Sequence, residues 1–303
     1  YKNLGLIIID EQHKFGVRQR KELSDKGGIN CDVLVMSATP IPRTMILTIY
    51  GDMDVTLIKE KPKNRKEIKT YSKLESKINE VIKYCKNEII NGNQIFWVCP
   101  LIEKSNKLDH QSSVEKHKLL KKYFNNKVGL IHGAMDKHDK DLVLNDFLNR
   151  KIDVLVSTTV IEVGIDFPNA NVIVIENANK YGLSQLHQLR GRVGRGDKEA
   201  KCILIFKSNL SENARKRIKI LKNSNDGFKI AEEDLKIRGY GDILGFKQSG
   251  IKKYNLADPI QHKELFDLAE NQINIIEKNN FNFDKYNKLI KLYDKVSIIN
   301  ETI

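Results

Sequence analysis

The sequence contains few cysteines, and none of them are paired by spacing. Four occur in 303 residues, with no C-x-x-C arrangement: Cys31, Cys85, Cys99 and Cys202. Structural zinc sites and the disulfide frameworks of small secreted domains both need clustered or regularly spaced cysteines. Three of the four lie in or beside apolar runs, which is typical of buried thiols in a reducing compartment. We therefore expect neither a zinc site nor a disulfide framework.

Long apolar runs are also missing. No run of about 18 apolar residues occurs, so no membrane-spanning helix is predicted. The chain starts without methionine and enters the apolar run Leu6–Ile9 with no signal-peptide pattern. We expect a protein of a reducing cytoplasm with no membrane partner. We also expect this chain to be part of a longer one, called the parent protein below.

Acidic residues are outnumbered by basic ones. The chain has 52 lysines and arginines against 39 aspartates and glutamates, a formal net charge of +13. A surplus of this size favours a phosphate-rich partner such as nucleic acid. Lysine is abundant throughout the chain, however, so a solvated lysine-rich surface explains part of the charge. Charge alone therefore favours nucleic acid only modestly.

Short apolar runs alternate with amphipathic segments along most of the chain. Runs rich in β-branched residues predict buried parallel strands, and apolar residues at every third or fourth position predict helices. The predicted strands are Leu6–Ile9, Val33–Met36, Gln94–Val98, Lys127–Ile131, Asp153–Val156, Val172–Ile175 and Ala200–Phe206. Such alternation predicts an α/β fold in which helices flank a parallel sheet.

Two changes in composition divide the chain into predicted domains. Residues 59–70 are polar and basic with one proline, which is typical of a linker. After about residue 208 the pattern is helical, and two helices, one capped by Ser211, are predicted to form a hairpin. The predicted domains are 1–65, 66–208 and 209–303.

Polar motifs follow the predicted strands. Asp10-Glu11-Gln12-His13 follows the first strand, and Ser37-Ala38-Thr39 follows the second. Ligands of open α/β sheets bind at the carboxyl ends of strands. A carboxylate there can hold Mg²⁺ through water, and its neighbour can orient the water that attacks a γ-phosphate. A bare Asp-Glu pair is more often a solvated turn, so the second motif is needed to support this interpretation.

A further pair of motifs lies between residues 153 and 195. Ser157-Thr158-Thr159 places small hydroxyls at the end of a predicted strand, and Gln188-x-x-Gly191-Arg192-x-Gly194-Arg195 places two guanidinium groups three residues apart. Guanidinium groups are always charged and match phosphate oxygens in a bidentate manner. The arginine motif therefore favours the terminal phosphates of a nucleotide as its ligand.

Taken in order, these motifs resemble those of the superfamily-two helicases. Within that superfamily the sequence is similar to the RecG family of bacterial branched-DNA helicases. The segments that carry the similarity are DEQHKFGVRQR, SATPIPRT, FWVCPLIEKS, STTVIEVGIDFPNA, QLHQLRGRVGR and DLKIRGYGDILGFKQSG. The similarity covers essentially the whole chain and corresponds to the carboxyl-terminal part of that family. It implies RecA-like P-loop NTPase helicase domains followed by a helical carboxyl-terminal region.

The resemblance implies catalytic roles for two groups of residues. In the acidic motif, Asp10 would organise Mg²⁺ through water and Glu11 would be the catalytic carboxylate. Arg192 and Arg195 would reach the γ-phosphate, and an arginine in such a position can be worth about 10³-fold or more in turnover. The residues that would couple the nucleotide to the neighbouring domain are Gln12 and His13.

The resemblance also implies residues for DNA binding and for coupling. Thr158 and Thr159 would contact the DNA backbone, while Gly164 and Asp166 would approach the nucleotide. The residues that would couple ATP to DNA movement are Ser37, Ala38, Thr39, Gln188, Arg238 and Gln248. Arg238 and Gln248 lie in a hairpin and loop that resemble the translocation motif of RecG and of the transcription-repair coupling factor.

The implied parent protein is an ATP-dependent, Mg²⁺-requiring DNA helicase. It would act as a single chain on branched or duplex DNA, remodelling replication forks and Holliday junctions in repair and recombination. One alternative is a translocase like the transcription-repair coupling factor, although that family usually has Glu where Gln12 stands. The other is a non-catalytic DNA-binding remnant of a motor, against which the intact acidic and arginine motifs argue.

The isolated chain is predicted to hydrolyse ATP at no useful rate. No G-x-x-x-x-G-K-[ST] phosphate loop occurs in the 303 residues, so the chain lacks the lysine that holds the nucleotide phosphates. Phosphate release by the purified chain, measured with and without duplex DNA, checks this expectation. Robust turnover would show that the prediction is wrong.

Overall fold

The computed structural model describes residues 4–11, 26–27, 31–37, 56–58, 60, 66–100, 106–158, 167–238 and 262–278. The chain divides into two compact units. The larger unit comprises residues 1–40 and 58–237, and the smaller comprises residues 41–57 and 238–303. The two sheets described below belong to the larger unit.

A two-stranded parallel sheet lies near the start of the chain. Strand β1 (Leu6–Ile9) pairs with β2 (Asp32–Val35) in the register Leu6 to Asp32 through Ile9 to Val35. Ile7 and Ile9 are buried. Since the strands are parallel, the acidic motif after β1 and Ser37 after β2 leave the same end of the sheet. The Met36 amide, which donates to the Ile9 carbonyl at 2.7 Å, extends this pairing beyond the strands.

The main sheet has six parallel strands, so the predicted fold class is confirmed. Its order is β3-β8-β7-β4-β6-β5. The strands are β3 (Lys69–Leu74), β4 (Gln94–Val98), β5 (Val128–Ile131), β6 (Val154–Ser157), β7 (Ala170–Ile175) and β8 (Lys201–Phe206). Strands β4, β6 and β7 are buried along their whole length. This explains why they are continuous apolar runs in the sequence.

Helices cover both faces of the main sheet. The described α-helices of the larger unit are α1 (Ile78–Ile90), α2 (Asn106–Tyr123), α3 (Lys137–Leu148), α4 (Leu183–Arg190), α5 (Glu212–Asn223) and α6 (Gly227–Arg238). A further described helix, α7 (Lys263–Lys278), belongs to the smaller unit. Strand β4 shows how the faces divide. Ile95 and Trp97 join a core with α1 and α2, whereas Phe96 and Val98 join a core with α3, α4, α5 and α6. None of these described helices is long and apolar enough to span a membrane.

Two helix starts have side-chain caps, and the cap at Ser211 was expected from the sequence. The Asp136 carboxylate accepts from the Asp139 amide at 2.8 Å, and the Ser211 hydroxyl accepts from the Ala214 amide at 3.3 Å. Each bond satisfies an amide that has no partner inside the helix. The second cap fixes where α5, the first helix of the predicted hairpin, begins.

Strand β3 corrects the sequence-based prediction, which extended a linker through residue 70 and placed no strand there. β3 forms an edge of the main sheet beside β8, in the register Lys69 to Lys201 through Leu74 to Phe206. Its sequence, KTYSKL, has no apolar run, and Thr70 and Ser72 are its more buried positions. An edge strand needs only one backbone partner and one covered face, so hydrophobic pattern alone does not reveal it.

A buried polar network joins α1 to the amino-terminal side of the main sheet. Glu88 accepts from Lys201 Nζ at 2.9 Å and from Asn93 Nδ2 at 2.7 Å. Asn93 in turn accepts from Asn171 Nδ2 at 3.0 Å. Burial alone would raise the pKa of Glu88, but interactions with Tyr84, Lys201 and Asn93 together lower it. The folded state therefore favours the ionised carboxylate.

We expect Glu88→Gln to destabilise the main sheet and to weaken the acid dependence of its stability. A folded-state pKa below the ordinary value of 4.5 stabilises the fold above that pH, and the contribution disappears as pH falls through the folded pKa. At neutral pH the substitution should lower the free energy of unfolding by about 1–3 kcal/mol. Between pH 5 and pH 3 the variant should lose less stability than the wild type.

Urea unfolding followed by the fluorescence of Trp97, the single tryptophan and a fully buried one, measures this effect. Glu80→Gln is the matched control. Glu80 lies on the same helix, but its partners Lys73 and Lys77 bind it at the surface, where ion pairs contribute little. Equal effects of the two substitutions would contradict the prediction.

Candidate functional site

The carboxyl edge of the main sheet is where its chain topology reverses. From β4 the chain crosses to β5 on one side, and from β7 it crosses to β8 on the other. Open α/β sheets bind ligands at such a point. Cys99, Thr158 and Glu176 follow the central strands β4, β6 and β7 there. Bonds from the Cys99 amide to the Ser157 carbonyl (2.8 Å) and from the Glu176 amide to the Val98 carbonyl (2.9 Å) hold the edge together.

Glu176 organises this edge and was missed by the sequence-based prediction. Its Oε1 accepts from Trp97 Nε1 at 2.8 Å and lies 2.8 Å from Lys116 Nζ on α2. The Glu176 and Lys116 side chains are only 12% and 20% exposed, so water screens this ion pair less than a surface pair. The position of Glu176 directly after an apolar strand could have marked it as a candidate site residue, but nothing in the sequence identifies Lys116 as its partner.

The thiol and phenol near Glu176 are neutral groups. Burial raises the pKa of the Cys99 thiol, and the charge of Glu176 adds to the increase. Burial likewise raises the pKa of the Tyr181 hydroxyl, again with a contribution from Glu176. A protonated buried thiol is a poor nucleophile. Cys99 therefore serves packing at this edge.

The predicted DNA-contacting threonines are only partly described. The Thr158 amide donates to the Ile131 carbonyl at 3.3 Å, which places the residue at the end of β6. Its side chain is buried, and its hydroxyl has no hydrogen-bond partner within the residues that the structure describes. Contact with DNA would require this hydroxyl to become accessible, so its role stays a prediction. Thr159, Gly164 and Asp166 lie outside the described residues.

The arginine loop, residues 191–196, continues directly from α4, which contains Gln188. The Gly191 amide donates to the His187 carbonyl at 3.0 Å, and the Arg192 amide donates to the Leu189 carbonyl at 3.0 Å. Val193 is fully buried and anchors the loop in the core. The Arg192 side chain is half-buried and that of Arg195 is exposed. The loop is thus a fixed support for two cations.

Gly194 is required by the shape of this loop. Its φ of +74° lies in the left-handed region, which residues with a Cβ rarely adopt. A Cβ at this position would also lie 2.8 Å from the Cβ of Ala200. The glycine therefore serves the backbone conformation and close packing of the loop.

The hairpin of α5 and α6 packs against α4 and the segment that precedes it. Three side chains make polar links across this junction. Arg217 Nη1 donates to the Tyr181 carbonyl at 2.6 Å, and Ser184 Oγ donates to Asp234 Oδ2 at 2.6 Å. Arg190, the last residue of α4, bonds carbonyls at the end of α5. The hairpin and the arginine loop thus share α4 as a common support. Arg238 ends α6, and Gln248 lies outside the described residues.

The acidic motif stands at the end of β1. Asp10 is exposed, and its Oδ1 accepts from the Glu11 amide at 2.8 Å. Glu11 has a φ of +48°, an uncommon conformation for a residue other than glycine, and such conformations occur often at functional sites. Ser37 follows β2 at the same end of the sheet. Gln12, His13, Ala38 and Thr39 lie outside the described residues.

The exposed carboxylate of Asp10 suits a magnesium ion held through water. Mg²⁺ keeps several waters and usually takes one or two carboxylates together with the phosphates of its substrate. The part of the chain that the structure describes contains no group of three or more metal-ligating side chains. The donor chemistry at Asp10 therefore fits an ion that arrives with a nucleotide.

Two family models match parts of this chain. Residues 76–197 match the family model "Helicase conserved C-terminal domain", and residues 224–296 match "ATP-dependent DNA helicase RecG, domain 3, C-terminal". The RecG protein of Thermotoga maritima is 48% identical over 294 residues, which are 96% of this chain. This chain belongs to the RecG family. RecG of Aquifex aeolicus is 49% identical over 302 residues, or 97% of the chain. The predicted resemblance is confirmed.

The RecG-family chain spans 37% and 38% of the length of these two relatives. A solved structure described as RecG bound to a three-way DNA junction has a TM-score of 0.66 and 47% identity, and the match covers 88% of this chain and 34% of that one. The helicase MrfA, solved with DNA and AMPPNP, has a TM-score of 0.53 at 17% identity over 84% of this chain and 41% of its own. At that identity it supports the fold alone.

We expect Gly194→Ala to disturb the arginine loop of this RecG-family chain and Gly191→Ala to leave it intact. The first change forces a Cβ into a left-handed conformation and into Ala200, which should lower the free energy of unfolding by about 1–3 kcal/mol. Gly191 has a φ of −66°, and a Cβ there would meet nothing closer than 3.4 Å. Urea unfolding followed by Trp97 fluorescence compares the two variants. Equal stability would contradict our account of the loop.

Proposed function

We propose that the parent protein is an ATP-dependent DNA helicase that moves along duplex DNA and remodels branched DNA such as forks and Holliday junctions. Membership of the RecG family supports the activity, and the relative solved on a three-way DNA junction supports the substrate class. The observation that carries the proposal is the arginine loop, which places two arginines directly after α4, the helix that also supports the hairpin. We further propose action by a single chain in the bacterial cytoplasm, associated with the nucleoid, in DNA repair and recombination.

In this proposal the two arginines of the loop bind the γ-phosphate of ATP. Arg192 and Arg195 neutralise charge that develops during phosphoryl transfer, which is the main catalytic task in this reaction. Glu11 orients the attacking water, and the carboxylate of Asp10 holds the water shell of Mg²⁺. A magnesium ion held there would supply positive charge that offsets the charge of the phosphates. The phosphate-binding lysine would come from a part of the parent protein outside this chain.

The hairpin turns this chemistry into movement on DNA. Its helices are hydrogen-bonded to α4 and to the segment before it, so a shift of the arginine loop on phosphate release carries the hairpin with it. Arg238 and Gln248 lie at and beyond the end of α6, where such a shift reaches the loop that we place on DNA. The proposed roles of Gln12, His13, Ser37, Ala38, Thr39 and Gln188 are to relay nucleotide state between the motor domains.

Two alternative functions predict different activities on DNA. A translocase like the transcription-repair coupling factor would also hydrolyse ATP on DNA, but the match of residues 224–296 to a RecG domain favours the branched-DNA enzyme. A non-catalytic remnant would bind DNA without hydrolysis. The experiment below separates these three possibilities by activity.

We expect Gln248→Ala in the parent protein to hydrolyse ATP but to lose fork unwinding, because the change removes the proposed contact with DNA and leaves the arginines in place. ATP hydrolysis is measured without DNA, with linear duplex and with forked DNA, and fork unwinding is measured in parallel. The wild type should hydrolyse fastest with forks. Gln272→Ala, which removes an exposed glutamine from α7, is the matched control and should behave as wild type.

The outcomes are distinct. DNA binding without any stimulation of hydrolysis in the wild type would contradict the helicase proposal and favour the non-catalytic remnant. Equal stimulation by linear and forked DNA would contradict specificity for branched DNA. Fork unwinding by Gln248→Ala at the wild-type rate would contradict the coupling role of this residue.

A further inference from the structure

Arg190 is a buried cation at the junction of the arginine loop and the hairpin. It is the last residue of α4, immediately before Gly191 and Arg192, and its relative exposure is only 2%. Burying a guanidinium is unfavourable unless its donors are satisfied. The hydrogen bonds of Arg190 therefore explain how a buried positive charge is tolerated at this position.

The partners of Arg190 are at the carboxyl end of α5. Nη1 donates to the Leu221 carbonyl at 2.7 Å and to the Ser224 carbonyl at 2.8 Å, and Nη2 lies 3.0 Å from His187 Nδ1. The last carbonyls of a helix have no partners within it and carry the negative end of its dipole. Arg190 thus caps a helix of the hairpin from outside the hairpin.

Among the described residues, no carboxylate forms an ion pair with Arg190. Burial lowers the pKa of its guanidinium, and its hydrogen-bond neighbours are two carbonyls, a histidine and, at a longer distance, Thr70. The charge is therefore balanced mainly by the oriented carbonyls of α5, an arrangement that exists only while the end of α5 is in place. If α5 moved away alone, a buried cation would lose its principal partners.

A cavity of about 170 Å³ borders this junction. Its lining includes His187, Arg190, Gly191, Asn225 and Gly227, so it touches the end of α4, the turn of the hairpin and the start of α6. The polar part of this lining can bind water, which would hydrate the guanidinium during a rearrangement. The hydrogen bonds of Arg190 thus stabilise the observed arrangement, and the adjacent cavity leaves space for the helix ends to move.

We propose that Arg190 is the positioning residue that couples the arginine loop to the hairpin, so that nucleotide-dependent shifts of Arg192 and Arg195 reach the DNA-moving loop. Arg190 does not touch the nucleotide in this proposal, and it acts through the carbonyls of Leu221 and Ser224. The inference rests on the proposed helicase function. It predicts that a variant without the guanidinium still hydrolyses ATP but unwinds less DNA for each ATP.

The test compares Arg190→Met, Arg190→Lys and wild type in the parent protein. Methionine keeps much of the apolar length without donors, whereas lysine keeps the charge but has no second nitrogen to take the place of Nη2 beside His187. The measured quantities are the KM for ATP, the kcat without DNA, the kcat with forks and the base pairs unwound per ATP. Arg215→Met is the matched control, because Arg215 is an exposed arginine on α5.

For Arg190→Met we expect an unchanged KM and DNA-free kcat, with base pairs unwound per ATP reduced by about tenfold, within the usual range for coupling between sites. Arg190→Lys should fall between that variant and wild type, and Arg215→Met should match wild type. A second readout is hydrogen exchange, which should rise at residues 219–226 in Arg190→Met and stay unchanged in β4.

Unwinding per ATP equal to wild type in Arg190→Met would overturn the proposal. A folded variant that loses DNA-free hydrolysis would also overturn it, since Arg190 would then act in catalysis. If Arg190→Met does not fold, the same ratio in Arg190→Lys decides, and a wild-type ratio there with unchanged exchange would reject the coupling role. If the wild type itself shows no DNA-stimulated hydrolysis, the helicase function fails, while the exchange result still tests the contact.

Discussion

The structure depends on the burial of both faces of the central parallel strands. Strands β4 and β7 lie inside the sheet, and each sends alternate side chains into two separate apolar cores. Every helix that follows such a strand must cover one of these faces. This requirement places α4 and the hairpin of α5 and α6 on the same side of the sheet. The arginine loop and the hairpin are neighbours for that reason.

Apolar packing brings α4, α5 and α6 together, and the polar contacts between them only fix their relative positions. Apolar residues of α4, α5 and α6 already share one core, including Leu186, Ile218 and Ile230. Side-chain bonds from Ser184, Arg190 and Arg217 then fix the helices at defined positions. Apolar packing tolerates small shifts, whereas a buried guanidinium with paired carbonyls favours one geometry.

Several parts of the fold and site could be predicted from local pattern. The strands that precede the motifs are short apolar runs, and Ser211 indicates the start of a helix. Others could not. β3 is a polar edge strand that forms because β8 offers a backbone partner. α4 is an eight-residue helix without an extended apolar repeat. Glu176 and Lys116 are separated by 60 positions and meet only through folding.

Local pattern was enough to predict the fold class, the order of the motifs at strand ends and the resemblance to RecG, because periodicity and motif spacing are local properties of the chain. What those motifs touch depends on the tertiary structure. Gly194 packs closely against Ala200, and Glu176 accepts a hydrogen bond from Trp97. Arg190 donates hydrogen bonds to carbonyls at the end of α5. Each of these contacts depends on burial of the sheet, which brings the segments together. Every residue has a backbone carbonyl, so the sequence does not reveal which carbonyls accept hydrogen bonds from side chains.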